Sequence, residues 1–211
     1  MKYQAVIFDL DGVICKTDRY HYLAWKKIAE EVGVYFDETI NNKLRGIGRL
    51  ESLEIILGTR REEFSESAKH KLAQKKNQYY RQLLQTMSPQ DLDPDIKATL
   101  DQIKAQGLKI AIGSSSKNAR LILKQIGLDN YFDAVSDGTN ISRSKPDPEV
   151  FLKASTYLGI EPPYCLVVED AKSGLEAARA AKMDSAAIGD AVKYGLANYQ
   201  LEKFSDLLKY V

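Results

Sequence analysis

Ala5-Val6-Ile7-Phe8-Asp9-Leu10-Asp11-Gly12-Val13 is the stretch that decides the fold of this chain. An apolar run delivers two aspartates, two residues apart, onto a glycine. A short continuous apolar run bounded by a turn signal reads as a strand buried on both faces. Such a strand carries its carboxylates to one edge of a sheet. Two carboxylates held there suit a divalent cation, or one nucleophile beside one acid/base. A strand that merely ends in an Asp-Gly turn reads the same way, so the rest of the chain must separate these readings.

From Asp18 to about Gln85 the pattern is helical. Asp18 is expected to cap a helix that runs through Val32 and ends at Gly33. Further helices are expected near 37–45, 49–57 and 61–85, with the Lys- and Gln-rich stretch 69–82 as a solvated face. Met87-Ser88-Pro89 through Asp93-Pro94 breaks the pattern. Beyond it helices and strands alternate: helix 94–106, strand 108–113, helix 117–126, strand 134–136, helix 148–158, strand 165–169, helix 172–182, strand 184–188. This alternation predicts an α/β fold, a Rossmann-like parallel sheet with right-handed crossovers. The first strand belongs to that sheet. Residues 1–16 and 88–211 therefore form a core domain, and 17–87 an inserted all-helical cap. A lid inserted there is expected over the carboxyl ends of the strands, where such sheets bind ligands.

The bulk composition excludes several classes. The 211 residues suit one large or two small domains, and 44% hydrophobic with 28% charged residues predicts a soluble protein with a real core. The net charge is +1, with acids and bases interspersed. Neither a nucleic-acid nor a membrane surface is expected from it. Cys15 and Cys165 form no motif, and no secretory or membrane-spanning segment is legible. The expectation is a cytoplasmic protein with free thiols, Cys15 serving as a small buried hydrophobe.

Three more strand ends carry chemistry. Gly113-Ser114-Ser115-Ser116-Lys117-Asn118 places hydroxyls and backbone N–H groups at a helix start, a phosphate cradle. Ser116 as a plain helix cap is the alternative. In Ser144-Lys145-Pro146-Asp147-Pro148, a lysine pinned before proline can fix a point charge on a phosphate. Taken alone it reads as a surface lysine. Glu169-Asp170 is a second carboxylate pair, facing the first if the strands are neighbours, unless Asp170 only caps the next helix. Together the pairs offer hard oxygen ligands for Mg²⁺, with Ser114 and Lys145 left for phosphate.

This set, in this order, resembles the haloacid dehalogenase superfamily of phosphotransferases, and the resemblance covers nearly the whole chain. It implies Asp9 as the nucleophile that becomes an aspartyl phosphate, and Asp11 as the general acid/base. It also implies Mg²⁺ held by Asp9, Glu169 and Asp170 and by the backbone carbonyl of Asp11. Dehalogenases of the superfamily usually lack the second aspartate, so its presence favours phosphoryl transfer. Phosphonatases use a cap lysine. Lys26 or Lys27 could stand there, but His21 and Trp25 beside them point elsewhere.

Within the superfamily, three further segments look like those of its sugar-phosphate mutases: Thr17 through Trp25, Leu44 through Leu53, and Lys75-Lys76-Asn77. Ser114 through Asn118 completes that likeness. It implies a substrate-binding set of Thr17, His21, Trp25, Gly46, Arg49, Ser52, Lys76, Asn77, Ser114, Ser116, Lys117, Asn118 and Lys145. Each has a physical use. Arg49 offers a permanent planar charge to the phosphate remote from the reaction, and Ser116 to Asn118 help hold it. Trp25 offers an apolar face to a sugar ring. His21, on the same helix face, would hydrogen-bond Asp11 when the cap closes. Ile47-Gly48 and Gly113-Ser114-Ser115 depart from the usual Val-Ser and Ala-Ser-Ala, a difference that bears on substrate preference and not on reaction type. The implied reaction interconverts β-D-glucose 1-phosphate and glucose 6-phosphate, with β-glucose 1,6-bisphosphate as primer and intermediate, in a monomer. A hexose phosphate phosphatase on the same core, and a non-catalytic sugar-phosphate sensor, are the competing readings.

Overall fold

The computed structural model describes residues 2–44 and 47–211. The chain divides into two compact units, Met1–Lys16 with Met87–Val211, and Thr17–Thr86. In chain order the elements are β1 (Ala5–Phe8), α1 (Asp18–Val32), α2 (Glu38–Asn42), α3 (Arg49–Leu57), α4 (Glu66–Leu84), α5 (Pro94–Ala105) and β2 (Lys109–Gly113). There follow α6 (Ala119–Gln125), β3 (Ala134–Ser136), α7 (Glu149–Leu158), β4 (Cys165–Glu169), α8 (Lys172–Ala180), β5 (Asp184–Ile188) and β6 (Tyr199–Leu201).

The first unit is the expected parallel α/β sheet. Its strand order is β3-β2-β1-β4-β5-β6, and the pairings are parallel throughout. Central β1 is buried at every residue, which is why it reads as an unbroken apolar run. Phe8 lies level with Ile112 of β2 and Val168 of β4. The chain segments that leave these three strands therefore emerge side by side. On one face Ile7, Ala111 and Val167 pack with Phe151 of α7 and Ala177 of α8. On the other, Phe8 stacks on Phe204 with ring centroids 5.7 Å apart. Gly113 lets α7 close onto the sheet, because a Cβ there would stand 2.7 Å from the Phe151 ring.

The second unit is helical. Trp25, Ile28, Phe36, Leu53, Leu57 and Ala73 form its core. Gly33 ends α1 in the left-handed conformation (φ 69°), as its position suggests. Other expectations need correction. Thr17, not Asp18, is the N-cap of α1; Asp18 is its first residue, where its carboxylate favours the helix dipole. No single helix spans 61–85. A 3₁₀ turn covers Gly58–Glu63, and α4 starts afresh after Ser65, whose Oγ accepts from Ala68 N at 3.3 Å. Arg60 explains the interruption: its guanidinium donates to Val32 O at 2.8 Å and Gly33 O at 3.2 Å, tying this turn to the end of α1. Nor is 69–82 wholly solvated, since Lys69, Ala73, Lys76 and Tyr80 make a buried stripe. Among the described residues no helix is long and apolar enough to cross a membrane.

Replacing Ile7, fully buried at the centre of the sheet, tests where the core unit draws its stability. Ile7→Ala should cost about 2–5 kcal/mol. A drop in the thermal midpoint of several degrees checks it; an unchanged midpoint would mean that β1 is not the keystone of the sheet.

Candidate active site

The side-by-side strand exits place Asp9 (after β1), Ser114 (after β2) and Glu169-Asp170 (end of β4) at one edge of the sheet. Asp9 N donates to Val168 O at 3.0 Å, which keeps Asp9 level with Glu169. Oxygens of Asp9, Glu169 and Asp170 lie within 4.8 Å of one another. Asp9 and Glu169 are buried, at 7% and 1% exposure. Lys145, on the 141–148 loop, is not the surface lysine it resembles in isolation. It is buried, and its ammonium bridges the carboxylates of Asp9 and Glu169.

Two glycines make room for this crowding. Gly12 (φ 94°) adopts a conformation side chains avoid, and a Cβ there would fall on the Asp170 carboxylate. A Cβ on Gly174, in the first turn of α8, would fall on the Glu169 carboxylate. The Glu169 Oε2 also accepts from the backbone N–H of Asp170 and of Ala171, each at 3.1 Å. Asp170 is not a helix cap; Ala171 holds that position in α8.

Burial raises the Asp9 pKa, against the pull of Lys145 and of the Asp11 and Leu10 backbone N–H groups. Burial likewise pushes Glu169 up, to about 7, opposed by Lys145 and assisted by the charge on Asp9. Burial opposes the Lys145 charge, yet Asp9 and Glu169 hold its proton more tightly than in a free lysine. The cluster is rich in hard oxygen donors and short of positive charge. That donor set, with glycines hollowing out its back, fits Mg²⁺.

The serine loop is built as a turn. Ser114 Oγ accepts from Ser116 N at 3.1 Å, and Ser116 Oγ from Asn118 N at 3.2 Å. Asn118, not Ser116, stands at the N-cap of α6. Ser114 and Asn118 are buried, Ser116 half-buried, and Lys117 exposed. Two residues the motif reading passed over hold this loop. Ser115 Oγ accepts from Lys145 N at 3.3 Å, joining the serine loop to the lysine loop. Gly138 sits so close that a Cβ would press on Ser115 O and stand 2.8 Å from Lys117 N. Neither carries a local signal, because both requirements arise from loops distant in sequence.

In the helical unit, α1 and α4 bring His21, Trp25, Lys76 and Tyr80 together. The Lys76 ammonium lies 2.9 Å from His21 Nδ1, 4.5 Å from the Tyr80 ring centroid and 4.9 Å from that of Trp25. The His21 and Tyr80 rings are 4.1 Å apart. An ammonium has only protons to give, so Nδ1 accepts and the ring proton of His21 sits on Nε2. Burial, then the charges of Lys76 and Arg49, hold the His21 pKa well below its ordinary value. Trp25 requires a correction. At 2% exposure it belongs to the core of this unit and has no open face for a sugar; its ring faces Lys76 instead. Thr17 and Ser52 are buried too, at 1% and 3%. Thr17 O accepts from Tyr20 N at 2.9 Å and His21 N at 3.1 Å, and Ser52 N donates to Gly48 O at 2.8 Å. Arg49 opens α3 and is half-buried, as is Asn77. Gly46 lies outside the described residues.

A parallel sheet with an aspartate, a carboxylate pair at the neighbouring strand end and a buried lysine between them fits a class of phosphoryl-transfer enzyme. The family model for haloacid dehalogenase-like hydrolases matches residues 6–188, and the chain belongs to that family. It is 40% identical over 206 residues to a β-phosphoglucomutase of Bacillus subtilis (strain 168), covering 97% of this chain and 91% of that one. A crystal structure of β-phosphoglucomutase from Clostridium difficile matches with a TM-score of 0.91 at 38% identity, covering 97% of this chain and 93% of that one. A fructose-1-phosphate phosphatase of Escherichia coli (strain K12) is 31% identical over 185 residues, covering 87% of this chain and 95% of that one.

Two measurements test the cluster as a cation site. Gly174→Ala should displace Glu169 and weaken Mg²⁺ binding on the order of 10–100-fold by calorimetric titration; unchanged affinity would remove Glu169 from the ligand set. In the unsubstituted protein Glu169 must lose its proton to bind the cation. Mg²⁺ affinity should therefore fall as pH drops below about 7, approaching a factor of about ten per unit.

Proposed function

We propose that the protein is a Mg²⁺-dependent β-phosphoglucomutase. The observation that carries this reading is the likeness to β-phosphoglucomutases, which runs through both units at 40% identity over 97% of the chain, against 31% over 87% for the phosphatase relative. In this reading phospho-Asp9 donates its phosphoryl group to the 6-hydroxyl of β-D-glucose 1-phosphate while Asp11 takes the hydroxyl proton. The resulting β-glucose 1,6-bisphosphate reorients. Asp9 then attacks the 1-phosphoryl group, Asp11 returns its proton to the leaving oxygen, and glucose 6-phosphate departs.

The buried Lys145 ammonium offsets charge on the transferring group. Asp9, Glu169 and Asp170, with the backbone carbonyl of Asp11, would hold Mg²⁺. When bound, Mg²⁺ supplies charge neutralisation at the phosphoryl oxygens. Two phosphates on one intermediate call for two anion sites. Ser114 and Lys145 serve the reacting phosphate; Arg49, with Ser116, Lys117 and Asn118, serves the distal one. Thr17, Gly46, Ser52 and Asn77 complete the substrate set, and Trp25 acts on it through Lys76.

Supplying β-glucose 1-phosphate, Mg²⁺ and a trace of bisphosphate should yield glucose 6-phosphate. Release of inorganic phosphate in its place would make the protein a sugar-phosphate phosphatase, and no turnover with tight bisphosphate binding would make it a sensor. Asp9→Asn should abolish the phosphoenzyme. Asp11→Asn should retain Mg²⁺ binding and slow both transfers by about 10²–10⁴-fold; near-normal rates would reassign the acid/base.

A further inference from the structure

The reacting geometry assigned above depends on where Lys145 stands, and Lys145 belongs to a loop rather than to a strand or helix. A buried ammonium on a loop needs that loop fixed. The groups that fix it lie outside the catalytic set, in the first turns of α7.

Glu149, the first residue of α7, does most of this. Its Oε2 accepts three hydrogen bonds from the loop: from Ser142 N at 2.9 Å, Ser142 Oγ at 2.8 Å and Arg143 N at 2.8 Å. Its Oε1 pairs with Lys153 one turn on, at 2.8 Å. Lys153 in turn donates to Asn140 O, just upstream of the same loop. Downstream, Asp147 Oδ1 accepts from Glu149 N at 3.0 Å, and Asp147 Oδ2 pairs with Arg143 Nε at 3.0 Å. Phe151, two residues past Glu149, places its ring 4.8 Å below the Lys145 ammonium. Lys153, then the Arg143 and Ser142 donors, draw the Glu149 pKa down to about 2, so the clamp stays charged wherever the enzyme works.

We infer that Glu149 is a positioning residue for phosphoryl transfer: its carboxylate gathers the 142–143 backbone onto α7 and thereby sets the Lys145 ammonium between Asp9 and Glu169. A side chain that lacks the acceptor oxygen leaves the Ser142 and Arg143 N–H groups without this partner, and a neutral amide keeps only a weaker one. The backbone of the lysine turn then loses its tie to α7 at 142–143 and keeps those made by Asp147 and Ser115. This inference rests on the role given to Lys145 above.

A double-mutant cycle tests it, using E149A, E149Q, K145A and E149A/K145A. Initial rates are measured over a range of β-glucose 1-phosphate with Mg²⁺ and a trace of bisphosphate primer, counting glucose 6-phosphate and inorganic phosphate together, and thermal midpoints are recorded alongside. E149A should lose on the order of 10- to 100-fold in rate with a smaller change in KM. E149Q should recover part of the loss, because its amide oxygen can still accept from the loop. The double variant should be no slower than K145A alone, since Glu149 acts through Lys145. E149A within twofold of the unsubstituted enzyme would overturn the inference. So would a double variant slower than K145A by the full E149A factor. If E149A does not fold, E149M, which keeps the side-chain length and lacks the acceptor oxygens, takes its place, and a rate within twofold of the unsubstituted enzyme overturns the inference equally. Should the unsubstituted enzyme release only inorganic phosphate, the mutase reading falls, while the cycle is still read on phosphate release.

Discussion

The edge of the core sheet is organised by holding the buried Asp9 and Glu169 carboxylates, the half-buried Asp170 and the Lys145 ammonium close together. Like charges at this spacing repel, and burial strips away the solvent that would screen them. Lys145 offsets part of the charge by bridging Asp9 and Glu169. Backbone N–H groups of Asp170 and Ala171 offset more by pointing at Glu169. Asp9 and Glu169 nonetheless crowd each other, and burial raises the pKa of both. Affinity for a hard cation is thus a consequence of the packing.

Parallel pairing makes the crowding unavoidable. Neighbouring strands lie about 4.8 Å apart, so acids at the ends of β1 and β4 cannot avoid each other once Phe8 and Val168 are in register. The remaining freedom lies in the turns, where the structure spends its glycines. Gly12 and Gly174 remove the side chains that would collide with Asp170 and Glu169. Gly113 does the same for Phe151, bringing α7 against the sheet and under Lys145.

The sequence makes legible what is local and hides what is not. Asp9, Ser114 and Glu169 stand at punctuated strand ends and Lys145 in a proline-marked loop, and the alternation that predicts those ends is a periodic signal. The crossover pattern puts them at one sheet edge without coordinates. Gly174 is different: a glycine early in a helix carries no mark of the carboxylate behind it. Ser115 and Glu149 are equally silent, because their partners lie 30 and six or seven residues away on other segments. Trp25 misleads for a related reason. Its neighbours in sequence match a sugar-binding segment, but helical periodicity alone does not say whether a tryptophan faces solvent or a second helix. β6 is too short to read, three residues at the sheet margin.

The two units carry opposite electrostatic characters at the clusters described above. The core gathers acids around one lysine. The helical unit gathers cations: Lys76 held against two aromatic rings and His21, with Arg49 near enough to depress the histidine. Aromatic faces attract an ammonium without neutralising it, and the Trp25 and Tyr80 rings hold Lys76 in this way. The neutral, Nε2-protonated His21 is likewise a donor fixed in one orientation.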